Sequence, residues 1–257
     1  MIGFLIRKNF YDLWDNLFRV ALVNIGFIIS LAVPLLLSYV FRNVPALSLA
    51  GLGIGVLWCF VYLSAAAQMV RRISDYGSFG FRDFFRGLKT AWSAGLFLGI
   101  FSILIIVVPA YGIVFYLLNF KWLGLFLAAL IFWVLLITIV SLQFFFAIRY
   151  RLDAHLFKAL KKCFIIYFDN TGFSLFTLLS GMFSLALSTL LVFLFPGPAG
   201  MLLFADEALR LRLLKYDYLE ANPDASRKKI PWDALLIEER EKTGARSLKN
   251  FIFPWKD

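Results

Sequence analysis

The chain has 257 residues, of which 61% are hydrophobic and 16% charged, with a mean hydropathy of +0.82 and a net charge of +10. A soluble domain averages about 45–50% apolar and about 25% charged residues, so the composition excludes an ordinary soluble fold. It suits an all-α polytopic membrane helix bundle of five to six spans. The basic excess lies beside the uncharged runs, where anionic lipid headgroups would meet it, and this argues against nucleic acid as a partner.

Residues 1–19 come first. Phe10, Leu13, Trp14 and Leu17 share one helical face, with Asp12, Asp15 and Asn16 on the other. The pattern predicts a cationic amphipathic helix lying in the membrane interface. The first uncharged run, 20–40, is long enough to span and contains Pro34, which predicts a kink supported by neighbouring helices. It lacks a small-residue cleavage site and reads as a retained helix. The second span is 47–70. Its Gly51 and Gly55 form a GxxxG spacing, read here as close packing within the monomer.

The stretch from 81 to 162 organises the rest. A basic segment (Phe81, Phe84, Phe85 and Leu88 on one face, Arg82, Arg86 and Lys89 elsewhere) leads into two uncharged runs, 93–119 and 122–148. Only Phe120 and Lys121 separate them, which predicts a transmembrane hairpin. A second basic segment, 149–170, follows, with Arg151, Lys158, Lys161 and Lys162 and a stripe of Leu152, Leu156, Leu160, Phe164 and Tyr167. Asp153 is its predicted N-cap. The unit of amphipathic helix, span and span thus recurs at about 1–70, 71–148 and 149–205.

The third unit is ambiguous. Residues 171–205 carry no charge but are short for two spans of about 20 residues each. In one reading the fifth span ends near Phe195, and a half-buried sixth helix returns from near Ala199. In the other, two short spans precede Asp206. Basic residues decide the orientation. Residues 1–19, 71–92 and 149–170 carry nearly all the cations of the first 205 residues, against Arg42 and Lys121 on the other side. The positive-inside rule puts those three segments in the cytoplasm, and the tail from Asp206 with them. Both ends of the chain are thus expected inside, which requires six crossings, the last short or irregular.

Residues 206–257 form a cytoplasmic helical tail. A helix is expected over 205–219, with Asp206 and Glu207 pairing with Arg210 at i,i+4 and i,i+3. Ile230, Trp232, Phe251, Ile252, Phe253 and Trp255 are expected to dock on the bundle or on a partner.

Candidate chemistry is sparse. His155 is the single histidine and has no converging partner in sequence. Ser180 and Ser184 have no second histidine to activate them. No HExxH, phosphate-binding Gly-rich loop or metal motif occurs, so no catalytic residue, metal or cofactor is expected. Ionisable groups near a membrane usually mark function. Asp206, Glu207, Arg210 and Gln143 are therefore the candidates for an ion pair or a cavity. Arg82, Arg86, Lys89, Lys158, Lys161, Lys162, Trp232 and Trp255 are the candidates for cytoplasmic lipid or partner contacts.

Three features resemble the YesL-like family of bacterial integral membrane proteins: Trp14-x-Asn16-Leu17 ahead of the first span, the aromatic-basic loop around Phe81, Phe84 and Phe85, and the late Gly197-Pro198. The resemblance covers roughly residues 10–215, and the tail departs from it. It implies a membrane protein of unknown activity associated with carbohydrate ABC transporters, and it assigns no catalytic residues. The expected function is a non-enzymatic inner-membrane accessory subunit or partner of a transport system. The alternative is a small solute or lipid transporter with a cavity between the hairpins, near Pro109, Gln143 and Glu207.

Overall fold

The computed structural model describes residues 1–227 and 229–244, apart from the side chain of Phe81. Phe251, Ile252, Phe253 and Trp255 lie outside the described residues. Eleven α-helices and no strand occur among the described residues. Five stretches are long and apolar enough to cross a membrane: Leu17–Val40, Pro45–Ser74, Arg82–Asn119, Lys121–Arg151 and Thr171–Leu191. Large apolar side chains face outward along them, including Leu118 at 79% and Trp122 at 85% exposure. Water would penalise such a surface and hydrocarbon favours it.

Helix α1 (Ile2–Asp15) precedes α2 (Leu17–Val40), and α2 pairs with α3 (Pro45–Ser74). α1 is amphipathic, as its spacing predicts, but its buried face includes the charged pair Lys8 and Asp12, while Arg7 and Asp15 are exposed. Lys8, Asp12, Leu5 and Leu13 pack inward while Phe10 and Trp14 are exposed. The GxxxG face of α3 meets α2. A Cβ on Gly55 would run into the backbone of Pro34, and one on Gly51 would press on Leu37. The proline therefore sits directly over the glycine, inside the monomer.

The next basic segment and the third span fuse into one 39-residue helix, α4 (Phe81–Asn119), rather than an interfacial helix followed by a span. The Gly80 N–H donates to Asp83 Oδ2 at 3.0 Å, which starts the helix with a capping interaction. Helix α5 (Lys121–Leu142) returns beside α4. The fourth apolar run does not continue to 148 as one helix. It breaks at Gln143 and resumes as α6 (Phe145–Arg151). Gln143 Nε2 donates to Val140 O at 2.7 Å and to Ser174 O at 2.8 Å, so the break is stitched to the following hairpin.

Helix α7 (Leu156–Asp169) starts later than the sequence suggests, with His155 at its N-cap. Asp153 has φ +42° and pairs with Arg149 at 2.9 Å instead of capping. Helix α8 (Thr171–Ser188) and one 3₁₀ turn lead to a reversal at 192–196, and α9 (Gly197–Ala221) runs back along α8. This is the first of the two readings of the third unit. The reversal lies beside the middle of α2. Asn24 Nδ2 donates to Leu194 O at 3.0 Å and Pro196 O at 2.8 Å, and its Oδ1 accepts from Ala199 N at 2.9 Å. Phe193 and Pro198 wall a cavity with Phe27 and Leu31. The turn therefore stops well short of the Val40 end of α2.

Helix α9 passes residue 205 without a break and touches α1, α2, α3, α6 and α8. It is the axis of the bundle. Two short helices, α10 (Trp232–Leu235) and α11 (Ile237–Thr243), fold back on it, with Leu236 fully buried in the main core.

Candidate functional site

The ionisable residues of α9 are buried, and their partners come from other helices. Asp206 is 3% exposed and takes a two-pronged contact from Arg151 of α6, with Nε to Oδ1 at 3.0 Å. Glu207 is 1% exposed, and its Oε1 lies 3.7 Å from Lys8 of α1. Arg210 reaches Asp75 at 3.0 Å and also binds Glu239 of α11. The expected pairs of Asp206 and Glu207 with Arg210 on the same helix are therefore not made. A 3.6-residue period carries successive charges to different neighbours, and a buried charge is satisfied by whichever element closes over it.

These contacts converge on the C-terminal end of α3. The Ser74 carbonyl accepts from Lys8 Nζ at 3.1 Å and from Arg210 Nη1 at 2.6 Å. Arg151 donates to the Ser74 hydroxyl at 2.7 Å and to Asp75 at 2.9 Å. The last carbonyls of a helix are unpaired and lie at the negative end of its dipole, so cations collect there. Tyr76 follows at φ +60°, with Lys8 4.1 Å from its ring centroid and Arg210 at 5.3 Å. Its hydroxyl lies 3.0 Å from Glu239 Oε2, and burial pushes the phenol well above its ordinary range. One ring thus joins α1, α9 and α11.

Within this cluster Lys8 is the single ammonium between two carboxylates, Asp12 and Glu207. Neither oxygen of Glu207 has a hydrogen-bond partner. Burial raises the Glu207 carboxyl above its ordinary range; Lys8 opposes this and Asp12 adds to it.

Further along α9 a second junction holds the tail. Arg212 lies over the Phe173 ring at 3.7 Å and near the Trp232 ring at 6.0 Å. Burial holds its guanidinium down to about 10, still charged at neutral pH. Asp206 and Glu207 take their cations from Arg151 and Lys8 instead. Lys215 reaches Asp169 at 3.1 Å, and the Tyr216 hydroxyl donates to the same carboxylate at 2.8 Å.

Of the other candidates, Trp232 packs against the bundle core and is half-buried, so it serves the monomer. Trp255 lies outside the described residues. Arg82, Arg86, Lys89, Lys158 and Lys161 are exposed, and Lys162 is half-buried. Gln143 lines an apolar cavity of about 390 Å³, but neither Pro109 nor Glu207 is among its walls. The three residues expected to share a cavity between hairpins are not brought together. His155 is exposed and stacks beside Phe157.

Sequence reasoning missed Lys8, Ser74, Asp75, Arg151 and Asn24. Lys8 and Asp12 stand at i,i+4, which is a legible signal for an ion pair. Asp75 likewise stands at i,i+4 to Arg71, but its other partners, and those of Ser74, Arg151 and Asn24, lie 55 to 175 positions away. No family model matches the chain, and no curated protein or solved structure matches it either.

Proposed function

We propose that this is a non-enzymatic multi-pass protein of a bacterial inner membrane, acting as an accessory subunit or partner of a transport system. The observation that carries this reading is how its charge is used. Asp206, Glu207, Arg210 and Lys215 are taken up in contacts between helices. Arg82, Arg86, Lys89, Lys158 and Lys161 remain exposed beside the apolar spans. Buried charges whose counter-charges come from other helices are tied to structure, since removing either partner strands the other. A row of free cations at a membrane face attracts anionic headgroups or an acidic protein surface. On this reading residues 1–15, 71–92, 149–170 and 206–244 face the cytoplasm. The resemblance to YesL-like proteins makes a carbohydrate ABC transporter the partner to look for first.

The test is copurification from native membranes after mild cross-linking. A transport-protein subunit should be recovered with the chain, and less of it with Arg82, Arg86 and Lys89 changed to Gln. Isolation of the chain alone in several mild detergents, with and without cross-linker, would overturn the proposal.

A further inference from the structure

A cleft of about 730 Å³ opens between the last turn of α3, the loop before α4, and α6. Arg71, Arg72, Arg149 and Arg151 line it, with Asp75 and Asp153 as the lining carboxylates. None of these four arginines is among the basic residues that the sequence singles out for lipid or partner contacts. They come from two segments almost 80 positions apart and meet only in the fold.

Two of the four are well matched, since Arg151 is also held by Asp206 and Arg71 donates to the Tyr150 carbonyl. For Arg72 and Arg149 carboxylate charge is scarce. Asp75 is shared by Arg151 at 2.9 Å, Arg210 at 3.0 Å and Arg71 at 3.6 Å. Asp153 reaches Arg149 at 2.9 Å, but its side chain is 98% exposed, so water competes for it. Arg149 Nε is buried and has no acceptor among the described residues. Arg72 meets only Asp83, at 3.1 Å, with both side chains partly exposed. A guanidinium offers five donors in a planar fork that matches phosphate oxygens. Several forks around one cleft, with more donors than acceptors, form an acceptor-seeking site.

The level of the cleft is also informative. Gln68 and Thr90 form its wall toward the spans, joined at 3.3 Å. Two residues beyond Thr90, the Trp92 ring is 55% exposed. An exposed tryptophan at the end of an apolar run is typical of headgroup depth.

We infer that this cleft binds a phosphate group, presented by an anionic phospholipid headgroup or by a soluble phosphate. The inference is independent of any protein partner. The test uses the full chain in phosphatidylcholine nanodiscs, to which phosphatidylglycerol or inorganic phosphate is added. Readouts are the melting temperature and the lipid adducts retained in native mass spectrometry. Phosphatidylglycerol should raise the melting temperature and be retained. Arg149→Gln should weaken phosphatidylglycerol affinity about tenfold, the loss expected for one charge-assisted hydrogen bond, and shrink both readouts, while Lys161→Gln at an exposed position of α7 should not. If inorganic phosphate gives the same rise and displaces the lipid, the site stands and its ligand is soluble phosphate. If it does neither, the headgroup is the ligand. Equal losses in Arg149→Gln and Lys161→Gln would reduce the effect to diffuse surface attraction and overturn the inference. So would the absence of any response to either phosphate. Should Arg149→Gln fail to fold, Arg72→Gln is read by the same criteria.

Discussion

Lys8 joins more of the molecule than any motif in the sequence announces. It is 2% exposed and contacts Asp12, Glu207, the Ser74 carbonyl and the Tyr76 ring. Removing a lone buried cation strands its counter-charges, whereas removing one of two competing carboxylates relieves repulsion. Lys8→Met should therefore cost about 3–5 kcal/mol, seen as a large fall in melting temperature in detergent. Glu207→Gln should leave that temperature nearly unchanged or raise it. The reverse ranking would show that Glu207, not Asp12, is the principal counter-ion. Asp169 gives a pH-dependent case. Partial burial works to raise its carboxyl, but hydrogen bonds from Tyr216 and Lys215 outweigh it and hold the group below its ordinary value. With the folded value below the unfolded one, the stabilisation is complete above about pH 4 and fades as pH falls through the folded value. Asp169→Asn should cost under about 1 kcal/mol at neutral pH, given the exposure of the pair. The difference in melting temperature from the unmodified chain should vanish in acid.

Between elements, two close approaches set the geometry. Pro34 of α2 sits over Gly55 of α3 with no room for a side chain. Gly55→Val should force the hairpin apart at a cost of about 1–3 kcal/mol. The same change at Gly53, which has open space around it, should be nearly silent. Parallel melting curves check the pair. The second approach is Asn24 against the start of α9, where Gly197 has φ +60° and a Cβ would strike the Asn24 side chain. Asn24→Leu would leave the Leu194 carbonyl and the Ala199 N–H without partners in an apolar setting, while the Pro196 carbonyl keeps the Gly200 N–H. Each is worth about 1–3 kcal/mol, so the variant should lose the α8–α9 hairpin, read as protease sensitivity between 189 and 200.

At the scale of the whole molecule, the α8–α9 hairpin distinguishes this bundle from three equivalent transmembrane hairpins. α2 and α3 run past it, while its turn stops beside Asn24, Phe27 and Leu31. Leu190 and Val192 at that turn are 77% and 69% exposed, a placement that hydrocarbon tolerates and water does not. A cysteine at Val192, in a chain with Cys59 and Cys163 replaced by Ala, should resist water-soluble maleimides applied to either side of a sealed vesicle. A cysteine at Asn43 should react from one side only. Reaction of the Val192 position from the Asn43 side would mean that α8 crosses completely.

The helical class, the long apolar segments and the clustering of cations were legible because they depend on local composition. About 20 consecutive apolar residues make a spanning helix whatever surrounds them, and this places α2 and α3, the end of α4 and the start of α5 within a few residues of their observed limits. Helix ends were less legible. The break at Gln143 depends on a carbonyl from Ser174, and the start of α7 depends on Asp153 turning to Arg149. Amphipathic spacing revealed that α1 and α7 have two faces. In α1, however, Lys8 and Asp12 pack inward with Leu5 and Leu13, because their partners are there, and hydrocarbon accepts the outward Phe10 and Trp14. What the sequence by itself determined is therefore an all-helical membrane chain with its cations gathered beside the spans. Which carboxylate each cation meets, how deep the last hairpin reaches, and that four arginines share one cleft were decided only by the tertiary structure. A buried charge is satisfied through space, by groups that the chain order keeps far apart.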